Sequence, residues 1–347
     1  MKHPSFKISN RNIGYDFPPL IIAEIGINHG GQIEIAKSMV RKAFKSGAEV
    51  IKHQTHFVED EMTEEAKKIF PPNDHRSIWD IIDNCALSMD EEVELKDFTE
   101  SLGMIYLSTP FSRKAAEFLN DIGVKAFKIG SGEADNIPLI ECIAKFEKPI
   151  ILSTGMQSIE SVIPSINLIN NNNCALALLE CTNLYPSPPE HVSLKGIDLL
   201  RESFPDHVIG FSDHSIGPYM SIAALGKGAS IIERHFTDSR YTNGPDIVCS
   251  MDPAELSFLI NISKEIWVAN RNEKKMSNPE KATYKFARGS IVYDANLPAN
   301  TVIKKEHIWA RRPGDGEIPA SDFFNIIGRK INKDVRLNQQ ASWKDFE

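Results

Sequence analysis

Eight apolar runs rich in β-branched residues recur after the first twenty positions, and their rhythm leaves the chain few folds. They read LIIAEIGIN (20–28), AEVIKHQ (48–54), MIYLSTP (104–110), KAFKIGS (125–131), PIILSTG (149–155), CALALLECT (174–182), HVIGFSD (207–213) and ASIIERHF (229–236). Between them lie stretches such as EIAKSMVRKAFKSG and SRKAAEFLNDIG, with apolar residues every three or four positions and a closing glycine, the pattern of capped amphipathic helices. Strands buried on both faces read as continuous apolar runs, and strands alternating with helices build parallel sheets. The chain therefore reads as α/β, a (β/α)8 TIM barrel; a doubly wound open sheet is the alternative that the same alternation permits.

A barrel places its chemistry at the C-terminal ends of its strands. The run ends supply Glu24 and Asn28; Lys52, His53 and Gln54; Ser108 and Thr109; Lys128, Ser131 and Glu133; Ser153 and Thr154; Asn183; Ser212, Asp213 and His214; and Glu233 and His235. The last run is the sharpest case, because SIIERHFTD drives a buried strand straight into Glu233, Arg234 and His235. Converging on one mouth, these ends would form a polar ring.

Outside the barrel, residues 5–16 read as a hairpin turning at Asn10 and Arg11 that could plug the opposite end, so residues 1–270 form the barrel domain. A helix is expected at about 253–270, a polar linker at 271–285, and a small strand-rich domain at 286–347. The acidic stretch from His56 to Ile78 is a candidate substrate loop. Composition adds exclusions: 41% hydrophobic and 25% charged residues fit a soluble globular chain, and a net charge of -8 argues against nucleic acid or an anionic membrane as partner. No window reaches the length of a membrane span and the N-terminus lacks a signal-peptide core, so the expected location is the cytoplasm. The five cysteines are odd in number and scattered, and read as reduced core residues.

The residue types then define the chemistry. His214 and His235 end adjacent strands, where two imidazoles can share a divalent ion such as manganese, cobalt or magnesium; isolated structural histidines are the alternative. Lys52 and Lys128 end apolar runs, and a buried lysine needs an anion. That anion is either Glu24 or Glu133, or a phosphate shared with the hydroxyls of Thr109, Ser131, Ser153 and Ser212 and the glycine-rich KIGSGE and STG turns. Glu24 and Glu133 are candidates for proton transfer or for structural pairing with the lysines. Asp246 either binds a polyol or caps a helix.

EIGINHGG, VIKHQTHFVEDEM, STPFS, KIGSGE, ILSTGM, CTNLYP, FSDHS, ERHFT, GPDIVCSM and, in the tail, ARRPGDG together resemble the bacterial N-acetylneuraminate (sialic acid) synthases, from about residue 6 to the C-terminus. The resemblance implies a TIM barrel followed by an antifreeze-like (SAF) domain. It implies condensation of phosphoenolpyruvate with N-acetylmannosamine and water to give N-acetylneuraminate and phosphate. His214 and His235 would hold the metal, manganese before magnesium or cobalt. Lys52, Thr109, Lys128, Ser131, Ser153 and Ser212 would hold phosphoenolpyruvate, joined by Asn183, where many relatives carry a different small polar residue. Gln54, Asn73, Tyr185 and Asp246 would face the sugar, and Glu24 and Glu133 the reacting carbons and water. Arg312 would reach the sugar from a partner subunit in a domain-swapped homodimer. The histidine after Lys52 is closer to the neuraminate branch than to the legionaminate or pseudaminate branches, whose synthases would differ around Asn73, Tyr185 and Arg312. A metal-dependent pyruvate aldolase, or an inactive barrel carrying a binding tail, are the readings from other classes.

Overall fold

The computed structural model describes residues 3–71, 75–242, 244 and 246–347, which form two compact units, Met1–Asn272 and Glu273–Glu347. The first unit opens with an antiparallel hairpin, β1 (Ser5–Ile8) and β2 (Arg11–Gly14). Next come β3 (Leu20–Gly26), β4 (Val50–Thr55), β5 (Ile105–Pro110), β6 (Phe127–Ile129), β7 (Ile150–Ser153), β8 (Leu176–Cys181), β9 (Val208–Asp213) and β10 (Ile231–His235). These run parallel and close into a barrel, with β10 returning to β3 in register from Ile231 opposite Leu20 to His235 opposite Glu24. That closure excludes the open sheet.

Helices cover the outside, several of them started by a side-chain cap. Ser88 and Glu91 form a reciprocal capping box ahead of the helix Met89–Ser101, and Asp252 accepts the N–H groups of Ala254 and Glu255 ahead of Pro253–Asn270. Ala36, Met39, Val40, Leu95, Leu119, Ile140, Ile143, Leu256 and Leu259 pack against the outward side chains of the strands.

Successive strand residues face opposite ways, so the barrel interior has its own core. Leu20, Ile22, Val50, Leu107, Ile151, Leu179, Val208 and Ile231 fill its N-terminal part, and Ile8 and Ile13 of the hairpin pack onto them. Each of these fully buried aliphatic side chains is worth about 1.5–3 kcal/mol. Because that end is sealed by apolar packing, polar groups inside the barrel are confined to the C-terminal ends of the strands.

After β4 the chain forms the short helix Val58–Glu61, a 3-10 turn at Glu64–Lys68 and the helix Ile78–Cys85, so the acidic stretch carries structure of its own. The expected linker also departs from the sequence reading: Glu280–Ala287 is a helix. Its sequence, EKATYKFA, contains good helix formers and no internal glycine or proline, and the Arg288 guanidinium lies over the Tyr284 ring at 4.5 Å. In the second unit β11 (Ser290–Tyr293) pairs antiparallel with β12 (Ile308–Arg311) over a core that includes Ile291, Tyr293, Ile303, Ile318 and Ile331. No helix among the described residues is long and apolar enough to cross a membrane.

Candidate active site

Parity along each strand decides which polar groups meet. Lys52 and Gln54 share a face with Val50 and so point into the barrel, as do Glu233 and His235 with Ile231, Ser212 with Val208, and Glu24 with Ile22. Lys52 Nζ lies 2.7 Å from Glu24 Oε2 and 3.8 Å from Glu233 Oε1, and donates to Thr109 Oγ1 at 3.2 Å. Lys128 Nζ donates to Ser153 Oγ at 2.7 Å and to the Ile129 carbonyl at 3.0 Å, and lies 3.6 Å from Glu233 Oε1. Glu233 thus stands between both lysines and also accepts from Ser212 Oγ at 3.2 Å. From sequence alone Glu233 is a polar strand end without an assigned role; its spacing of two from His235 is the signal that places it inside the barrel.

The two inward carboxylates differ in acidity. Burial opposes ionisation of Glu233, but Lys128, Lys52 and His214 outweigh it and hold the carboxyl below its usual range. Burial pushes Glu24 up to about 7, with Lys52 and Gln54 opposing and Glu233 adding to the rise. Lys52 stays charged, since Glu233 and Glu24 outweigh its burial, whereas burial lowers Lys128. Carboxylates pushed apart in this way divide the work: one remains an anion and the other can carry a proton near neutrality.

Beside them stand the two histidines, ring centroids 5.4 Å apart, with the Tyr185 ring 4.2 Å from His214 and 5.8 Å from His235. His214 Nδ1 donates to the Thr182 carbonyl at 2.9 Å, which leaves Nε2 with a free lone pair. His235 Nδ1 is buried without a hydrogen-bond partner, 3.6 Å from Asp246 Oδ2. Burial holds both imidazoles below their ordinary range, and their proximity adds to the effect on His235. Burial pushes Asp246 up to about 6. No cluster of three or more His, Cys, Asp or Glu among the described residues could hold an ion by itself. Two neutral imidazoles with a carboxylate beside them fit a divalent ion that takes its other ligands from water and substrate.

Ser131, Gly155 and Asn183 form the adjoining wall. The Gly155 N–H donates to Ser131 Oγ at 3.0 Å, and a Cβ at 155 would fall 2.1 Å from Asn183 Oδ1, so only glycine fits there. Cys181 lies against this wall, donating to Asn183 Oδ1 at 3.3 Å; burial pushes its thiol up to about 11.

Several sequence assignments move. Glu133 sits half-buried in the 3-10 turn Ser131–Glu133, where Asn136 donates to it, and Glu233 takes the place beside Lys128 that the sequence reading offered to it. Burial raises the Glu133 carboxyl, and Glu61 contributes. His53, one residue from Lys52, faces away from the barrel interior: its Nδ1 lies 3.3 Å from Glu92 and its Nε2 3.1 Å from His29 Nε2. Arg234 also faces outward, donating to the carbonyls of Ser215, Gly217 and Cys249, with Asp213 at 3.7 Å. It ties the loop bearing His214 to the one bearing Asp246, which answers why ERH can end a buried strand. Asn28 donates to the Phe236 carbonyl and to Ser250 Oγ, which in turn donates to the Asp246 carbonyl at 2.7 Å. Asn73 lies outside the described residues, and Arg312 is exposed within the second unit, directly after β12.

Comparison with known proteins places this geometry. The NeuB family model matches residues 39–275 and the SAF domain model residues 288–347. An uncharacterized protein of Methanocaldococcus jannaschii is 35% identical over 98% of both chains. The N,N'-diacetyllegionaminic acid synthase of Legionella pneumophila is 33% identical, over 98% of this chain and 99% of that one. Among solved structures, the N-acetylneuraminic acid (sialic acid) synthetase of Leptospira borgpetersenii superposes with a TM-score of 0.75 at 28% identity, covering 82% of this chain and 96% of the other.

Proposed function

The chain belongs to the NeuB family, and from that premise we propose that it condenses phosphoenolpyruvate with a 2-acetamido sugar and water to give a nonulosonic acid and phosphate. N-acetylmannosamine is the proposed acceptor and N-acetylneuraminate the product. A legionaminate- or pseudaminate-type acceptor is the second reading, favoured by the Legionella relative and by the outward turn of His53, which removes that residue as a mark of the neuraminate branch.

The observation that carries the proposal is the pair of buried lysines, backed by hydroxyls and set beside two neutral histidines. Lys52 and Lys128, with Thr109, Ser131, Ser153, Asn183 and Ser212, would bind the phosphate and carboxylate of phosphoenolpyruvate, and Glu233 would keep the two ammonium groups in place between turnovers. Gln54, Asn73, Tyr185 and Asp246 would face the sugar. His214 and His235 would hold the divalent ion, manganese before magnesium or cobalt, which when bound supplies Lewis-acid polarisation of the open-chain aldehyde. C3 of phosphoenolpyruvate then bonds to the aldehyde carbon, and water adds to the cationic C2. Glu24, with its raised acidity range, would take the proton of that water, and phosphate would leave by C–O cleavage. Glu133, half-buried at the rim, would act on the sugar side.

Exposed apolar side chains on the loops after β7 to β10, namely Met156, Leu184, Ile216 and Tyr241, support a homodimer in which a second copy covers this face and supplies Arg312. The test is phosphate release from phosphoenolpyruvate with manganese, offering N-acetylmannosamine or 2,4-diacetamido-trideoxyhexoses. Release with N-acetylmannosamine alone supports the neuraminate assignment. Release only with a diacetamido sugar moves the chain to the second reading, and no phosphate release with any sugar, with pyruvate formed instead by cleavage of a nonulosonic acid, overturns both.

A further inference from the structure

His56 is buried yet belongs to none of the groups assigned above. It follows β4 directly, and its ring stacks on Phe111 with centroids 4.5 Å apart and planes 14° from parallel. Both ring nitrogens face oxygen acceptors: Nδ1 is 2.8 Å from Glu61 Oε2, and Nε2 is 3.3 Å from Gln54 Oε1. The ring is thus held between a carboxylate on one side and the Gln54 amide oxygen on the other. The far side of the Gln54 amide then points the other way, and Nε2 donates to Glu24 Oε1 at 2.8 Å. Glu24 Oε2 meets Lys52 at 2.7 Å, so the carboxylate is held by one donor on each oxygen.

We infer that His56, anchored by Glu61, is a positioning residue that fixes the orientation of the Gln54 amide and through it the placement of Glu24. An amide with no partner on its oxygen can turn over and present that oxygen to the carboxylate, which loosens one of the two grips on Glu24. Phe111 stacks on the ring plane and Glu61 meets Nδ1, so the imidazole is held on its face and on its edge. Asp60, beside Glu61, accepts the Lys114 N–H at 2.9 Å, which pins this short helix to the start of the helix Arg113–Asp121.

The catalytic part of the inference rests on the proposed condensation, so the test has an arm that does not. His56→Phe keeps a ring on Phe111 and removes both ring nitrogens; Gln54→Met removes the amide; the third protein carries both changes. Wild type should show a side-chain amide resonance pair, absent in Gln54→Met, that is protected from hydrogen exchange, and His56→Phe should abolish that protection. In phosphate-release assays His56→Phe should lower kcat about 100-fold, the scale expected for a misplaced catalytic group, with KM for phosphoenolpyruvate within about twofold. The double variant should be no worse than Gln54→Met alone, because the histidine acts only through the amide. Losses that multiply in the double variant, or an amide equally protected in His56→Phe, overturn the inference. If His56→Phe does not fold, Glu61→Gln answers the same questions with the ring in place. Amide release in the variant, with no phosphate release by wild type on any sugar, leaves the positioning role standing and sinks the proposed reaction.

Discussion

The inward and outward faces of the same strands are both buried and both polar at their C-terminal ends, yet they are built differently. Outward, Glu92 takes hydrogen bonds from Tyr106 and Thr55 and faces His53, and Asp213 takes them from the Ser215 backbone and hydroxyl and from Ser221. Inward, Glu233 Oε2 and His235 Nδ1 have no hydrogen-bond partner, and Glu24 Oε2 meets only the Lys52 ammonium, at 2.7 Å. His29 Nδ1 and Arg234 Nε lack partners too, but other atoms of those side chains are anchored. A buried polar group therefore reads as a clamp when its neighbours satisfy it and as half of a binding site when they do not.

The largest test of that distinction is an inward charge. Lys128→Met removes an ammonium facing Glu233 and Ser153 and should lower kcat/KM for phosphoenolpyruvate by about 1,000-fold, the upper range for losing one electrostatic contact to a reacting anion. Lys52 still faces Glu233, so the variant should fold. Activity within tenfold of wild type would mean that the inward cluster is not where the anion binds.

An outward clamp should fail in the opposite way. Glu92→Leu removes the acceptor shared by the Tyr106 and Thr55 hydroxyls and leaves Thr55 only Ser108 and Tyr106 only His53, at about 1–3 kcal/mol in all. Urea unfolding should show that loss, while the folded fraction keeps kcat within about threefold. A variant of unchanged stability but lost turnover would erase the contrast between the two faces.

How much of this was readable in the sequence depends on whether a residue sat inside a strand. Strand alternation gave the barrel, and the placement of Lys52, Lys128, Ser153, Ser212 and His235 followed from their position at run ends. Parity also contained the inward turn of Glu233 and the outward turn of His53, since adjacent residues face opposite ways. Glu133 was not readable, because a 3-10 turn after β6 has no period-two rule to orient it. The Gly155–Asn183 fit joins two different strands' loops, a contact that no single stretch reveals. The helix Glu280–Ala287 was hidden by its setting: it is short, follows the polar stretch RNEKKMSNP and buries no residue.

The smallest effect probes a third kind of buried polar group. Glu180 faces outward on β8 with Leu176 and Leu178, against the helix Leu194–Ser203, so closely that a Cβ on Gly196 would lie 2.2 Å from its carboxylate. It is neither a clamp nor part of the ring, and burial alone pushes its carboxyl from 4.5 to about 7. Between those values the native state holds a proton that the unfolded chain has released, so Glu180 costs stability progressively as pH rises from about 4.5 to about 7 and by a constant amount above. A shift of this size is worth at most about 3 kcal/mol, and about 1–3 kcal/mol once its partial exposure is counted. Glu180→Gln keeps the shape without the charge. It should match wild type at pH 4.5, gain about 1–3 kcal/mol at pH 8, and acquire the difference between the two. Glu24 and Asp246 shift in the same direction, so the wild-type curve alone cannot isolate Glu180, but the difference curve cancels their common contribution. A difference that is flat with pH would show that the helix moves to let water reach the carboxylate, and that close packing outside the barrel yields where the inward cluster does not.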